Sequence, residues 1–476
     1  MASKSPKKSA GHAEHTKSAD AFTLSGEILR PIKITMMGAG SGFTPKLMND
    51  IMRIPGNKGG TIALVDIDRN RLRTMHKLIE KLIVSLDAKN WKVISTENRR
   101  QVLKGSDYIV NCIEVSGLEC VRHDNDIPAK YGIDQCIGDT IGPGGLFKAL
   151  RTIPVWLEVL KDVEALCPDA VVLNYTNPMN MLCLAAHRST SLQVVGLCHS
   201  VQGTGHLLAE RAEVPYREME WACAGINHLA WFTRLRHKGK DLYPLLMRKA
   251  LEDLAGKPSN PKESPDLVRK DMMIHFGAFI TESSGHLSEY LPYYRKRKDL
   301  LKRYSRPRYD GETSFYANNW PEWRAGADRS RLEMLSGKES IVWERSWEYA
   351  SWIIEAREKD SPFRIHGNVI NATDGRDSLI SNLAADGCVE VACMIDRNGI
   401  NPTRYGALPP QMAALCASNM VVFDLGAKAA IERSKDAAIH ALMLDPLTAA
   451  ICSPAEIKKM TLELFEAEKA FLPGYK

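Results

Sequence analysis

Cys198 and His228 stand just past two apolar, strand-like runs, in the strings VVGLCHSVQGT and CAGINHLAWF. A thiolate and an imidazole are good ligands for a borderline transition metal. Two protein ligands leave positions open for water and substrate, as a catalytic ion requires. Taken singly, each residue has a plainer reading: Cys198 as a buried thiol, His228 as a core histidine bonded to a backbone carbonyl. His199 is an alternative ligand, and Cys223 another, although the apolar setting of Cys223 suggests packing. The pair gains weight from the start of the folded part, IKITMMGAGS, which has the form of a dinucleotide-binding turn. A nicotinamide beside an open metal site points to redox chemistry on a hydroxyl-bearing carbon.

In that opening the apolar run Ile32–Met37 ends in Gly38-Ala39-Gly40-Ser41, and Thr44-Pro45 reads as an N-cap with proline at the first helical position. Amides at a helix N-terminus bind pyrophosphate, and glycines let the phosphates approach. Gly38 and Gly40 fill the first two places of the fingerprint, and Phe43 stands at the third. Asp66 ends the next strand, Thr61–Val65, where it can accept from ribose hydroxyls. A carboxylate there repels a 2′-phosphate, so NAD is favoured over NADP. The plainer alternative is an ordinary strand–turn–helix corner.

Further candidates lie near predicted strand ends. Asn177, followed by Pro178, could bind sugar hydroxyls or nicotinamide, or merely end a strand. Asp124 (VRHDNDIP) and Asp139 (IGDTIGPGG) read as loop carboxylates, either one a proton donor or simply solvated. Tyr290, Tyr293 and Tyr294 cluster in SEYLPYYRKRK; a phenol beside a metal-acidified carbon can act as a base, and the alternative is an aromatic core face. The stretch Arg295–Arg308 reads as a solvated basic helix, part of which could face an anionic sugar, in preference to a nucleic-acid patch.

The elements that must position these residues alternate strand and helix over ~170 residues, the pattern of a parallel, doubly wound sheet. Asp107–Ile113, Ala170–Tyr175 and Leu192–Leu197 read as strands, and LFKALRTIPVWLEVLKDVEAL as a helix after the break Gly142–Gly145. Beyond residue 200 the alternation loosens. We therefore expect an α/β fold: a disordered tail over residues 1–30, a Rossmann-like NAD-binding domain over 31–200, and a mixed α+β domain over 201–476 carrying substrate, metal and oligomer contacts. The stretch Ala255–Ser264 reads as a loop.

The chain has 476 residues, 44% hydrophobic and 25% charged, with a net charge of +6. These are ordinary values for a soluble globular protein, and the small charge does not imply nucleic acid. No apolar run approaches the ~20 residues that cross a bilayer. Eleven cysteines, an odd number with no CxxC pair, fit a reducing cytoplasm. Cys112, Cys136, Cys183, Cys223, Cys393 and Cys416 read as small core residues.

In combination, the strings ITMMGAGS, IGDTIGPGG, LNYTNPMNM, GLCHSVQGT, CAGINHLAW and TESSGHLSEYLPYY make residues 31–476 resemble glycoside hydrolase family 4, the NAD- and metal-dependent glycosidases. Cys198-His199-Ser200-Val201-Gln202 looks like the α-galactosidase branch. The resemblance implies Mn²⁺ on Cys198 and His228, and sugar contacts from Asn177 and His199. It implies NAD held by Gly38, Gly40, Ser41 and Asp66, Tyr290 as base, and Asp124 as acid through a D-x-x-I-P match. The implied reaction is α-galactoside hydrolysis by C3 oxidation, C2 deprotonation, elimination, water addition and re-reduction, with no net NADH. A homodimer or homotetramer is implied. Alternatives are the same chemistry on an anionic sugar (a galacturonide, glucuronide or sulfonated sugar), with Arg295, Lys296 and Arg297 as partners, and an NAD-dependent 2-hydroxy acid dehydrogenase. A non-enzymatic NAD-binding regulator is a third possibility, opposed by the full set of motifs.

Overall fold

The computed structural model describes residues 23–256, 264–373, 375 and 377–476. Residues 1–22 of the expected tail, and 257–263 of the expected loop, lie outside the described residues.

Thirteen strands form a single sheet. They are β1 Ile32–Met37, β2 Gly60–Val65, β3 Trp91–Thr96, β4 Tyr108–Asn111, β5 Val171–Asn174, β6 Val194–Gly196, β7 Met219–Ile226, β8 Leu229–His237, β9 Lys240–Asp241, β10 Phe279–Ile280, β11 Phe363–Ile370, β12 Cys388–Asp396 and β13 Gly399–Pro402. The order is β10-β8-β7-β12-β11-β6-β5-β4-β1-β2-β3, with β13 on β12 and β9 on β8. From β3 to β6 every pairing is parallel; from β6 to β10 every pairing is antiparallel.

The parallel half has the strand order of a doubly wound dinucleotide fold, with its switch point between β1 and β4. Strands β4 and β5 are buried at every position, which is why they read as unbroken apolar runs. The sheet does not stop at residue 200: β11, from the last third of the chain, joins β6 through Asn368 opposite Gly196. The two expected domains thus share one sheet and one hydrophobic core.

Three expectations need correction, and a fourth needs a qualification. Residues 23–30 are not a free tail: Leu24 and Ile28 are buried. The Leu24 amide donates to Glu355 Oε1 at 3.1 Å, and Lys359 donates to the Leu24 carbonyl at 3.1 Å. The buried ion group of Glu355, Lys359 and Arg345 recruits this backbone for its remaining hydrogen bonds. Secondly, Asp124 lies on the helix Gly117–Lys130, not in a loop; Gly117 and Pro128 at its two ends mimic loop signals.

Thirdly, Phe43 rather than Thr44 is the N-cap of helix Thr44–Met52, because the Thr44 hydroxyl donates to the Ala39 carbonyl at 2.8 Å. Lastly, helix Pro410–Glu432 is long and apolar enough to cross a membrane by composition, although Asp424 and Lys428 break its run. It packs against helices Gly142–Leu166 and Met179–Ser189, so its apolar residues serve the core.

Candidate active site

The carboxyl ends of β1, β4, β5 and β6 and the β7–β8 turn carry the candidate residues to one edge of the sheet, where open α/β sheets bind ligands. After β1 the chain turns at Gly38, whose φ is 71°. A Cβ there would lie 2.4 Å from the Cys112 carbonyl oxygen, so a side chain is excluded. The Ser41 amide donates to the Gly38 carbonyl at 3.0 Å. Asp66 accepts from the Gly40 amide at 2.7 Å and from the Asp68 amide at 2.8 Å. This fixes its carboxylate at the mouth of the turn. Arg331 donates to the Gly40 carbonyl at 2.6 Å, and Arg71 pairs with Asp328 at 3.0 Å, so helix Phe315–Ser336 lies over the turn.

Cys198 follows β6, and His228 occupies the second place of the two-residue turn between β7 and β8, with φ 63°. Cys198, His228 and Glu282 bring one ligand atom each within 4.8 Å of one another. Glu282 follows β10 and also has a positive φ, 71°. Two strained non-glycine residues in one candidate ligand set are what a functional site tolerates. His228 Nε2 is 3.6 Å from Glu282 Oε2, and its Nδ1 is 3.0 Å from His286 Nε2. The Tyr290 hydroxyl is 3.4 Å from the same Nδ1. Burial, and then the Glu282 carboxylate, push the Cys198 thiol up. Burial and His228 push His286 down to about 4, so it is neutral at pH 7. Burial and the surrounding carboxylates push the Tyr290 phenol well up.

The donor set fits a divalent transition metal: one soft thiolate, one imidazole and one hard carboxylate, with positions left open. Asn227, beside His228, is fully buried, and neither polar atom of its side chain has a partner among the described residues. Asn180, at the start of the helix after Asn177, is orphaned in the same way. Such groups call for a ligand or ordered water.

His199 is not in the ligand set. Its Nε2 pairs with Glu348 at 2.6 Å, and its ring faces Phe43 and Tyr175 at 6.1 and 6.2 Å between centroids. Burial opposes protonation, but Glu348 raises His199 to about 9. Asn177 Nδ2 is 3.4 Å from Asp139 Oδ2, which is also 3.3 Å from the Lys148 ammonium. Against the burial penalty, Lys148 and the two histidines hold the Asp139 carboxyl well below its usual range. Glu289 accepts from the amides of Cys136, Ile137 and Gly138, tying the loop that carries Asp139 to the residue before Tyr290.

Asp124 stands apart from the Cys198 group. Both its oxygens accept from Arg151, at 3.0 and 2.7 Å, and Arg151 also donates to Glu468. Asp124, Asp139, Lys148 and Arg151 line one cavity. Burial and Asp124 push Glu468 up to about 9.

Tyr293 is partly exposed, and Tyr294 donates to Asp271 at 2.8 Å; neither contacts His228. Arg295 is buried on Asp134, Ser288 and the Gly311 carbonyl. Only Lys298–Tyr304 of the basic stretch is α-helical. Arg295 is thus consumed by internal contacts and not offered to an anionic sugar. Cys223 is buried on β7. Sequence reasoning assigned no role to Glu282, His286 or Glu289, although all three lie in TESSGHLSEY; the signal was the run of polar residues directly after the buried pair Phe279–Ile280.

Residues 33–214 match the family model described as Family 4 glycosyl hydrolase, and residues 223–448 its C-terminal domain. An alpha-galactosidase of Bacillus subtilis is 38% identical, over 93% of this chain and 100% of its own length. An alpha-galactosidase of Rhizobium meliloti is 37% identical, over 93% and 89%. A 6-phospho-alpha-glucosidase from gut microorganisms, solved with NAD and Mn²⁺, superposes with a TM-score of 0.76 at 20% identity, over 94% of this chain and 100% of its own. That likeness establishes the fold.

Proposed function

The chain belongs to family 4 of the glycosyl hydrolases, and from that premise we propose that it hydrolyses α-galactosides with NAD and a divalent cation, Mn²⁺ first, as cofactors. The observation that carries the reading is the Tyr290 hydroxyl beside His228, within the Cys198–His228–Glu282 ligand set. The galactoside assignment is supported by the full-length likeness to two alpha-galactosidases.

When bound, NAD⁺ supplies a reversible hydride acceptor for C3 of the sugar, and the cation a Lewis acid for its C2 and C3 oxygens. Gly38, Gly40, Ser41 and Asp66 hold the dinucleotide. Cys198, His228 and Glu282 hold the cation. Asn177 and the Asp139 carboxylate orient sugar hydroxyls, the latter as an acceptor because Lys148 keeps it ionised. His199, fixed by Glu348, closes the sugar subsite against Phe43 and Tyr175.

Once C3 is a ketone, the C2 proton is acidic, and Tyr290 would take it as a phenolate, its own proton already lost to solvent because a bound cation would offset the burial and carboxylates that push the phenol up. Departure of the C1 oxygen needs a proton. We assign its delivery to Asp124, which lies on the cavity shared with Asp139 and Lys148 and is held there by Arg151. Water then adds to the enone, and NADH, when bound, would supply the reducing equivalent that restores C3.

All eleven cysteines are free, and a ligating thiolate must stay reduced; we place the enzyme in the cytoplasm on that ground. Assembly as a homodimer or homotetramer is carried by the family resemblance alone.

The test is a panel of nitrophenyl α-galactoside, α-glucoside and α-galacturonide, assayed with NAD⁺, Mn²⁺ and a thiol reductant. Turnover of the α-galactoside without net NADH, with solvent deuterium entering C2 of the product, is expected. Activity confined to the galacturonide, or stoichiometric NADH from a hydroxy acid, overturns the assignment.

A further inference from the structure

A second group of metal-ligating side chains lies outside the Cys198 site. Cys120 and His123 are three residues apart on helix Gly117–Lys130, and so share one of its faces. Glu468 caps helix Pro454–Ala467. Each offers one ligand atom, and these atoms lie within 4.8 Å of one another. Cys120 and Glu468 are fully buried. His123 Nδ1 and Glu468 Oε1 are buried with no hydrogen-bond partner among the described residues. A buried imidazole nitrogen and a buried carboxylate oxygen left unpaired beside a thiol are a donor set without an acceptor.

We propose that Cys120, His123 and Glu468 form a second metal site, for a thiophilic divalent cation of the Zn²⁺ class. A thiol, an imidazole and a carboxylate are the donors such ions take, with the fourth position left to water. The local charge favours it. The Cys120 thiolate, Glu468 and Asp124 carry three negative charges and Arg151 one positive, so a divalent cation brings the group to neutrality.

Without the cation, protons do this work: burial pushes the Cys120 thiol up to about 11, and burial with Asp124 pushes Glu468 up to about 9. The ion staples residues 120 and 123 to residue 468, near the end of the chain. The site's existence does not depend on which sugar the enzyme cleaves.

The experiment is a Co²⁺ titration of metal-stripped protein, read by thiolate-to-cobalt absorption in the near ultraviolet and by metal analysis after dialysis. Wild type should take up about two equivalents, and Cys198→Ser and Cys120→Ser about one each. The Cys198→Ser protein should keep a thiolate–cobalt band that is lost in the Cys198→Ser/Cys120→Ser protein. His123→Gln, which keeps a polar side chain, should weaken the remaining site at least tenfold. The proposal is overturned if Cys120→Ser binds as much Co²⁺ as wild type, or if the band survives in the double variant. Because these readouts are metal counts and a spectrum, loss of glycosidase activity neither mimics nor masks the result.

Discussion

Glu282 Oε2 lies 3.6 Å from His228 Nε2, and the two residues share a left-handed backbone, with φ of 71° and 63°. Each such non-glycine residue costs ~1–3 kcal/mol. That cost is maintained because it aims the carboxylate and the imidazole at one point beside Cys198. Glu282→Gln keeps the shape and removes the charge. It should weaken Mn²⁺ binding by ~10–100-fold, in the range that loss of a metal-supporting contact brings. Titration of the stripped protein with Mn²⁺, followed by paramagnetic resonance of the free ion, measures this. Removal of the metal by a chelator should abolish turnover in the wild type, and excess Mn²⁺ should rescue the variant. An unchanged affinity would remove Glu282 from the ligand set.

The glutamate escaped sequence reasoning for a physical reason. Cys198 and His228 each follow an apolar strand, and that spacing is visible in one dimension. Glu282 follows β10, a strand of two residues that pairs with Trp231 and Phe232 of β8, too short to read as a strand, so the polar run after it is the one mark of its position in the sequence. The parallel half of the sheet was legible because its strands are buried on both faces. In the antiparallel half the apolar run of β7 was legible but its pairing was not, because β11 returns to β6 across more than 160 residues of chain, and sequence alternation says nothing of such a return. The Asp124 helix was hidden by its own glycine and proline.

Asp124 and Asp139 line the same cavity but should respond differently to neutralisation. Asp124→Asn leaves Arg151 with Glu468 alone. Breaking a buried pair costs ~3–5 kcal/mol, so the melting temperature should fall together with turnover. The fall in kcat should be steep for poor leaving groups and shallow for activated aryl galactosides, the signature of a lost acid. Asp139→Asn removes an acceptor for a sugar hydroxyl and should act with little regard to leaving group. A leaving-group series on both variants separates the roles. Equal sensitivity in both would sink the assignment of the proton to Asp124.

His366 gives the fold a defined acid sensitivity. It is buried on β11 against Trp221, with ring centroids 5.1 Å apart, and burial and Arg364 push it down to about 3. The unfolded chain takes up this proton near pH ~6.5. Between those values the unfolded state binds more protons, so the stability due to neutral His366 is complete above pH ~6.5 and declines as pH falls, by at most ~1.4 kcal/mol per unit. His286 acts in the same direction. Asp50, pushed up to about 6 by burial, acts in the opposite one, because the fold keeps a proton that the unfolded chain has released. Thermal melts from pH 7 to pH 5 should therefore slope less in His366→Gln than in wild type. Parallel slopes would show that His366 titrates normally.

Asp66 combines two tasks that one substitution can divide. Its carboxylate already accepts from the Gly40 and Asp68 amides, so it shapes the turn proposed to receive the dinucleotide, in addition to its proposed contact with the ribose. Gly40 cannot take a side chain without meeting it, since a Cβ would lie 2.9 Å from Asp66 Oδ2. Hydrogen bonds to a charged group contribute ~1.5–3 kcal/mol each, so Asp66→Ala should raise the NAD Kd by roughly 10–150-fold. The same change removes the charge that repels a 2′-phosphate, while Arg71, against Gly40 on the same side, stays in place. Affinity for NADP should then fall far less than affinity for NAD, and the preference between them should narrow. Calorimetric titration of both dinucleotides into wild type and variant measures this. An equal loss for the two would mean that Asp66 holds the turn alone and does not read the ribose.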